Sequence, residues 1–171
     1  LKTVKVQHYK SLDDVTVHLH PEVTLIVGPN GVGKSNFVDG LRFLRDAVTD
    51  DLDDAIRQRE GIVRLLQKYK TKPYQIGFGF SFADKHSQAS YGLQIKGRGS
   101  GDWSITRESF TYEKIADESS ATEPLTLNDQ LPFQRDAHGR LTLGTSELEY
   151  TLPESTLGLG AVLRLTTEPS A

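Results

Sequence analysis

Cysteine and methionine are both absent from the 171 residues. Without cysteine there are no disulfides, no thiolate metal sites and no cysteine nucleophile, so imidazole chemistry rests on five histidines. Without methionine, even before Leu1, the expectation is a trimmed product or a fragment of a longer protein. No stretch approaches the roughly 18 apolar residues of a membrane-spanning helix, and the opening LKTVKVQHYK has no apolar signal core. A cytoplasmic setting with no membrane partner is therefore expected. An excess of basic charge is also missing: 20 Lys+Arg stand against 23 Asp+Glu, a net charge of −3, so contact with nucleic acid would need a local patch. What is present, 36% hydrophobic and 25% charged residues, suits one folded domain and not a disordered chain.

The apolar pattern divides the chain into a glycine-loop core with N-terminal strands (1–49), a helical segment (50–72), a β-meander (73–152) and a C-terminal helix or tail (153–171). Val4 and Val6 share a face, and Val15, Val17 and Leu19 alternate with Thr16, His18 and His20, which predicts two half-buried strands joined across residues 10–14. Residues 23–27 (VTLIV) form a continuous apolar run that stops at a glycine loop, the pattern of a central strand buried on both faces. From Ser35 the period becomes helical, with Phe37, Leu41, Leu44 and Val48 on one face. Residues 50–70 continue in that style with a break at Gly61, predicting two short helices.

Residues 74–82 (YQIGFGFSF) alternate large apolar with small or polar residues and give a clear strand signal. Further strands are expected at 91–96, 103–112, 141–143 and 148–152, and the change of apolar phase between Ile105 and Phe110 asks for a bulge. Residues 135–140 (RDAHGR) read as a hairpin turn and residues 116–123 as a polar loop. Ser155 is a candidate N-cap for a last apolar stretch through Leu157, Val162 and Leu165.

Gly28-Pro29-Asn30-Gly31-Val32-Gly33-Lys34-Ser35 matches G-x-x-x-x-G-K-[ST], the phosphate-binding loop. Glycines without Cβ atoms let successive backbone N–H groups turn onto phosphate oxygens, and the helix that follows adds its positive end. Lys34 can reach the β and γ phosphates, and the Ser35 hydroxyl is placed to ligate a bridging Mg²⁺. The parts that usually complete a reaction are missing. No run of four apolar residues ends in Asp; Phe80-Ser81-Phe82-Ala83-Asp84 comes nearest but is too polar, and no Asn-Lys-x-Asp motif reads guanine. The catalytic residues stay unassigned.

Tyr9-Lys10-Ser11-Leu12-Asp13-Asp14-Val15, the apolar run at 23–27, GPNGVGKSN and the helix Phe37-Val38-Asp39-Gly40-Leu41-Arg42-Phe43-Leu44 together resemble an ABC-type ATPase head of the group that holds SMC proteins, RecF and OLD-family nucleases, including prokaryotic AAA-type ATPases with an ABC-like head. The resemblance implies an α/β phosphate-loop NTPase fold, an ABC-ATPase-like N-terminal lobe with a central buried strand, the helix after the loop and an antiparallel meander. It implies ATP with Mg²⁺ held between two heads, in a homodimer or with a second ATPase head. Carried across, Gly28, Asn30, Gly31, Gly33, Lys34 and Ser35 hold phosphates and metal, Asn36 lies beside them, and Lys10 corresponds to a basic residue near the nucleotide. DNA and a nuclease are the further partners implied, in DNA repair or anti-phage defence.

Such a head also needs a glutamine loop, a signature segment, an acidic metal-binding strand and a switch histidine. Gln75, Gln88, Gln94 and Gln134 are unranked glutamine-loop candidates, and residues 141–145 match the signature poorly. The expectation is an N-terminal portion cut before those segments. Rival readings are a transporter's nucleotide-binding domain, a small-molecule kinase recruiting Arg98 and Arg107, and a non-catalytic module in which ATP orders an interface for a partner.

Weaker features have plain alternatives. Arg57, Arg59, Arg64, Lys68, Lys70 and Lys72 form a basic run beside the acidic Asp46, Asp50, Asp51, Asp53 and Asp54, a DNA-contacting patch or a helix pair with compensating charges. His18 and His20 read as surface residues, Phe78, Phe80, Phe82, Tyr91 and Trp103 as core, and Glu108 as a structural or surface group.

Overall fold

The computed structural model describes residues 1–66, 74–98, 100–114, 132–143, 149–153 and 155–161. Its centre is one antiparallel sheet built from β1 (Thr3–Tyr9), β2 (Leu12–His18), β3 (Gln75–Ala83), β4 (Ser87–Gly97), β5 (Trp103–Lys114), β6 (Phe133–Arg135), β7 (Arg140–Leu143) and β8 (Glu149–Thr151), in the order β2-β1-β3-β4-β5-β6-β7-β8. Between β2 and β3 the chain leaves the sheet and forms α1 (Lys34–Thr49), α2 (Leu52–Arg57) and α3 (Ile62–Leu65). Strand neighbours are sequence neighbours except where β1 pairs with β3, so the helices are an insertion beside the β1–β2 hairpin.

The period-two pattern decides which face the helices cover. Val4, Val6, Ile76, Phe78, Tyr91, Leu93 and Ile95 point to one side and form a single core with Phe37, Phe43, Leu44 and Ala47 of α1 and Leu52, Ala55 and Ile56 of α2. Tyr9, Phe43 and Phe78 meet at its centre, with ring centroids 5.6 to 5.9 Å apart. Gly40 is where α1 comes closest to the sheet, because a Cβ there would stand 3.4 Å from Phe78 Cε1. On the opposite face Gly77 and Gly79, which leave it bare in sequence, are roofed by the stems of Gln7 and Lys5 on β1. The phase change in β5 is a bulge: Ile105 pairs with Ile95 and Arg107 with Gln94, leaving Thr106 as the extra residue.

One expectation fails. Residues 23–27 are not a central buried strand: they belong to no strand, and Val23, Leu25 and Val27 are 74%, 80% and 76% exposed. A run that is apolar on both faces needs a neighbour on each side and cover above and below. Among the described residues the sheet is antiparallel throughout and ends at β2, which pairs only with β1. The short helices at 50–65 agree with the break at Gly61. Of the expected final helix, residues 158–161 are helical among the described residues, while Val162 and Leu165, like the 116–123 loop and the signature comparison at 144–145, lie outside them.

Candidate functional site

The glycine loop is built by backbone conformations that side chains resist. Gly31 and Gly33 have φ of 82° and 106°, and Gly33 is the left-handed N-cap from which α1 starts at Lys34. Residues 28–32 are exposed, which leaves the backbone of the loop open to solvent beside the helix's positive end. A Cβ on Gly33 would fall 2.7 Å from Leu12 Cδ2 and 3.1 Å from Ser11 Oγ, so the β1–β2 turn is pressed against the loop's exit. Gly33→Ala therefore meets both a forbidden φ and a steric conflict. We expect it to lower the melting temperature and to weaken binding of any loop anion at least about tenfold, read by calorimetry.

Lys34 folds back over the loop, its Nζ donating to Gly28 O and Pro29 O at 2.7 Å each. An ammonium held by carbonyls at the mouth of an exposed glycine loop suits an anion with several oxygens, which would offer the lysine a charged acceptor in place of neutral ones. Ser35 is exposed on the first turn, and Asn36 Nδ2 donates to Ser11 Oγ at 2.7 Å. The donor set fits a polyphosphate with Mg²⁺: Lys34 and the backbone N–H groups of Gly28, Asn30, Gly31, Val32 and Gly33 for the phosphates, and the Ser35 hydroxyl for the metal. Mg²⁺, when bound, spreads the charge of neighbouring phosphate oxygens.

Beside this helix start opens a cavity of about 520 Å³, lined by Lys10, Ser11, Asn36, Gln58, Arg59 and Arg64 among others. It brings together the expected Lys10 and Asn36 and adds a charge cluster that sequence reasoning missed. Asp39 Oδ2 accepts from Lys10 Nζ at 2.6 Å and from Tyr9 Oη at 2.7 Å, and its Oδ1 accepts from Arg59 Nε at 3.3 Å. Arg59 also reaches Asp46 at 2.9 Å and Ala55 O at 3.0 Å, and lies over the Phe43 ring.

Burial alone would raise the Asp39 carboxyl, but the bonds from Lys10 and Tyr9 and the nearby cations outweigh it and hold it below the usual carboxylate range. Asp46 follows the same balance, with Arg59 and Arg45 as its cations. The same burial, aided by Asp39, drives the Tyr9 hydroxyl well above its ordinary value. The signal for this cluster was present in sequence: Asn36, Asp39, Phe43 and Asp46 follow one another at steps of three, four and three, a stripe along one face of α1.

The remaining candidates separate. Arg57 pairs with Asp53 and Asp54, and Arg64 with Glu60, so the compensated reading of the basic run holds for Arg57, Arg59 and Arg64; Lys68, Lys70 and Lys72 lie outside the described residues. Asp84 caps the β3–β4 turn by accepting from the His86 and Ser87 backbone N–H groups. Gln75 and Gln94 bond to each other, and Gln88 to Glu113. Among the described residues no three His, Asp or Glu side chains are grouped to hold a metal ion, and no helix is long and apolar enough to cross a membrane.

The sequence profile of the AAA ATPase domain matches residues 1–134. The chain belongs to the AAA ATPase domain family. Within it, this AAA ATPase domain is similar to the chromosome partition protein Smc of Xanthomonas oryzae pv. oryzae, 49% identical over 45 residues that make up 26% of the chain and 4% of that protein. It is 52% identical over 42 residues to Smc of Halobacteriovorax marinus, covering 24% of the chain and 3% of that protein. The DNA replication and repair protein RecF of Staphylococcus haemolyticus is 34% identical over 41 residues, 24% of the chain and 11% of that protein. The chain thus spans only a small part of the curated relatives it matches. The resemblance to the SMC and RecF group is borne out.

Proposed function

We propose that this AAA ATPase domain is the ATP·Mg²⁺-binding N-terminal lobe of an SMC- and RecF-like ATPase. The observation that carries the reading is the glycine loop itself, with positive φ at Gly31 and Gly33, an exposed backbone and the Lys34 ammonium drawn across its mouth at the start of α1. In this reading the backbone N–H groups of Gly28, Asn30, Gly31, Val32 and Gly33 meet the phosphates, Pro29, which has no N–H to give, shapes the loop between them, Lys34 offsets the phosphate charge, Ser35 is the metal ligand from this chain, and Lys10 and Asn36 stand at the adjoining cavity.

Hydrolysis in this reading requires a segment outside the chain together with a second head. The exposed apolar run at 23–27 supports the first requirement, because such a run next to a phosphate loop is stable only when strands flank it. The names of the relatives, a chromosome partition protein and a DNA replication and repair protein, support a setting in DNA maintenance, with anti-phage defence and a nuclease partner as further possibilities of the same reading.

The test is calorimetric titration of a non-hydrolysable ATP analogue with Mg²⁺ into the chain, with turnover and sedimentation measured on the same samples. Saturable binding without turnover is expected. Absence of binding at millimolar analogue overturns the site, and steady turnover by the chain alone overturns the requirement for a further segment. Binding without turnover in the longer protein would instead favour a module in which ATP orders an interface.

A further inference from the structure

Lysine side chains lose considerable rotamer freedom when they are fixed on a ligand, and a protein can meet that loss in advance by holding the ammonium in place before the ligand arrives. Lys10 is held in that way. Its backbone sits at φ 53°, a left-handed conformation that non-glycine residues adopt rarely, with its N–H donating to Leu65 O at 2.7 Å. Its ammonium is fixed by Asp39, one turn beyond Ser35 on the helix that starts at the phosphate loop. The next residue, Ser11, touches both Gly33 and Asn36, so the cavity that Lys10 lines begins where the loop ends. Strained backbone at a cavity wall is a pointer to function, since the fold has kept it at a cost.

We propose that Asp39 is a positioning residue for nucleotide binding, which holds Lys10 at the wall of the cavity so that the ammonium's remaining donors meet the phosphate chain of a nucleotide lodged in the loop. This rests on the reading that ATP occupies the loop. The carboxylate suits the task because it is anchored on three sides: Tyr9 Oη from β1, Lys10 from the β1–β2 turn and Arg59 from the segment after α2. Tyr9 and Arg59 keep the carboxylate in place whether or not Lys10 is engaged. Lys10 has Asp39 as its side-chain hydrogen-bond partner and remains 29% exposed, so donors are left over for a ligand. Arg59, only 10% exposed and bonded to Asp39, Asp46 and Ala55 O, is committed to the fold.

The experiment titrates the Mg²⁺-loaded non-hydrolysable ATP analogue into the full chain and into Asp39→Asn, Lys10→Met, the double variant and Lys34→Ala. Asp39→Asn is expected to weaken binding about tenfold, and the double variant to bind no more weakly than Lys10→Met alone, since Asp39 acts through Lys10. Tyr9→Phe removes a bond to the same carboxylate but leaves its charge, so it should lower the melting temperature while keeping the affinity within about twofold. A purely structural Asp39 would make Tyr9→Phe and Asp39→Asn behave alike.

Wild-type affinity in Asp39→Asn, or full additivity with Lys10→Met, overturns the proposal. If Asp39→Asn does not fold, Lys10→Met decides, because it leaves Asp39 bonded to Tyr9 and Arg59, and wild-type affinity there also overturns it. Undiminished binding in Lys34→Ala marks a different failure, that of the phosphate-loop reading itself.

Discussion

Lys34→Ala is expected to reduce affinity for Mg²⁺ and an ATP analogue by about 100-fold or more while leaving the fold intact. The lysine ammonium makes two hydrogen bonds to the Gly28 and Pro29 carbonyls, both on an exposed loop. Water can take over those carbonyls when the side chain is removed, so the effect on stability should stay within about 0.5 kcal/mol. The effect on an anion is of another size. A charge-assisted hydrogen bond contributes about 1.5–3 kcal/mol, and the two that an ammonium at this position can give to phosphate oxygens amount to about 3 kcal/mol at the low end, or about 100-fold in Kd.

Calorimetry read beside thermal unfolding separates the two effects. A variant that melts like the wild type and no longer binds assigns the loop to phosphate. A variant that melts like the wild type and binds equally well shows that the glycine loop is only a turn. The loss should also shrink as salt rises, because Lys34 is only partly buried on an exposed loop, where ions screen its field.

The site was legible in sequence to the extent that it is local. The glycines at 31 and 33, Lys34 and Ser35 are contiguous, and their geometry follows from which residues tolerate positive φ and where a helix can begin. Asp39 and Arg59 are twenty positions apart and meet only because α1 and α2 pack on the same face of the sheet; as letters, Arg59 was one cation in a basic run. Asn36, Asp39 and Asp46, polar residues along one side of α1, show that the helix has a second face with work to do, though not what meets it.

The strands tell the same story. β3 announces itself by strict alternation, and the bulge at Thr106 was visible as a change of phase, because both are properties of a single strand. The run at 23–27 misled because burial is a property of neighbours. Its composition asks for a sheet on both sides, and the described residues supply none. β6, with Phe133 and Arg135 buried on either side of exposed Gln134, is too short for periodicity to reveal and is fixed by its partners β5 and β7.

Glu108 gives the largest expected effect on stability, again through contacts that distance in sequence conceals. It is fully buried on β5, and its carboxylate accepts from Tyr91 Oη at 2.9 Å, from the Leu159 N–H at 3.0 Å and from the Gly158 N–H at 2.8 Å, some fifty residues further along the chain. Arg135 stands 3.9 Å away and spends other donors on Thr156 O and Pro153 O. The carboxylate and the guanidinium together pin residues 153–161 to the sheet. Glu108→Ala leaves two backbone amides and a phenol without their acceptor and takes the counter-charge away from Arg135, and removing one member of such a buried set costs about 3–5 kcal/mol, a large share of the roughly 5–15 kcal/mol that holds a domain folded.

Urea unfolding should show that loss as a fall in midpoint, and amide exchange should show protection lost first at Gly158 and Leu159. The pH dependence follows from burial, which raises the Glu108 carboxyl from its ordinary 4.5 against the opposing pull of its hydrogen bonds and Arg135. A raised folded value means that the protonated form fits the fold better than it fits the unfolded chain. The stability that Glu108 contributes in this way is therefore complete below about pH 4.5 and is lost as pH rises through the folded value. The gap between wild type and Glu108→Ala should be widest in acid and narrow as pH climbs. A gap that widens with rising pH would show that the carboxylate, held by its donors and Arg135, is the form that the fold prefers.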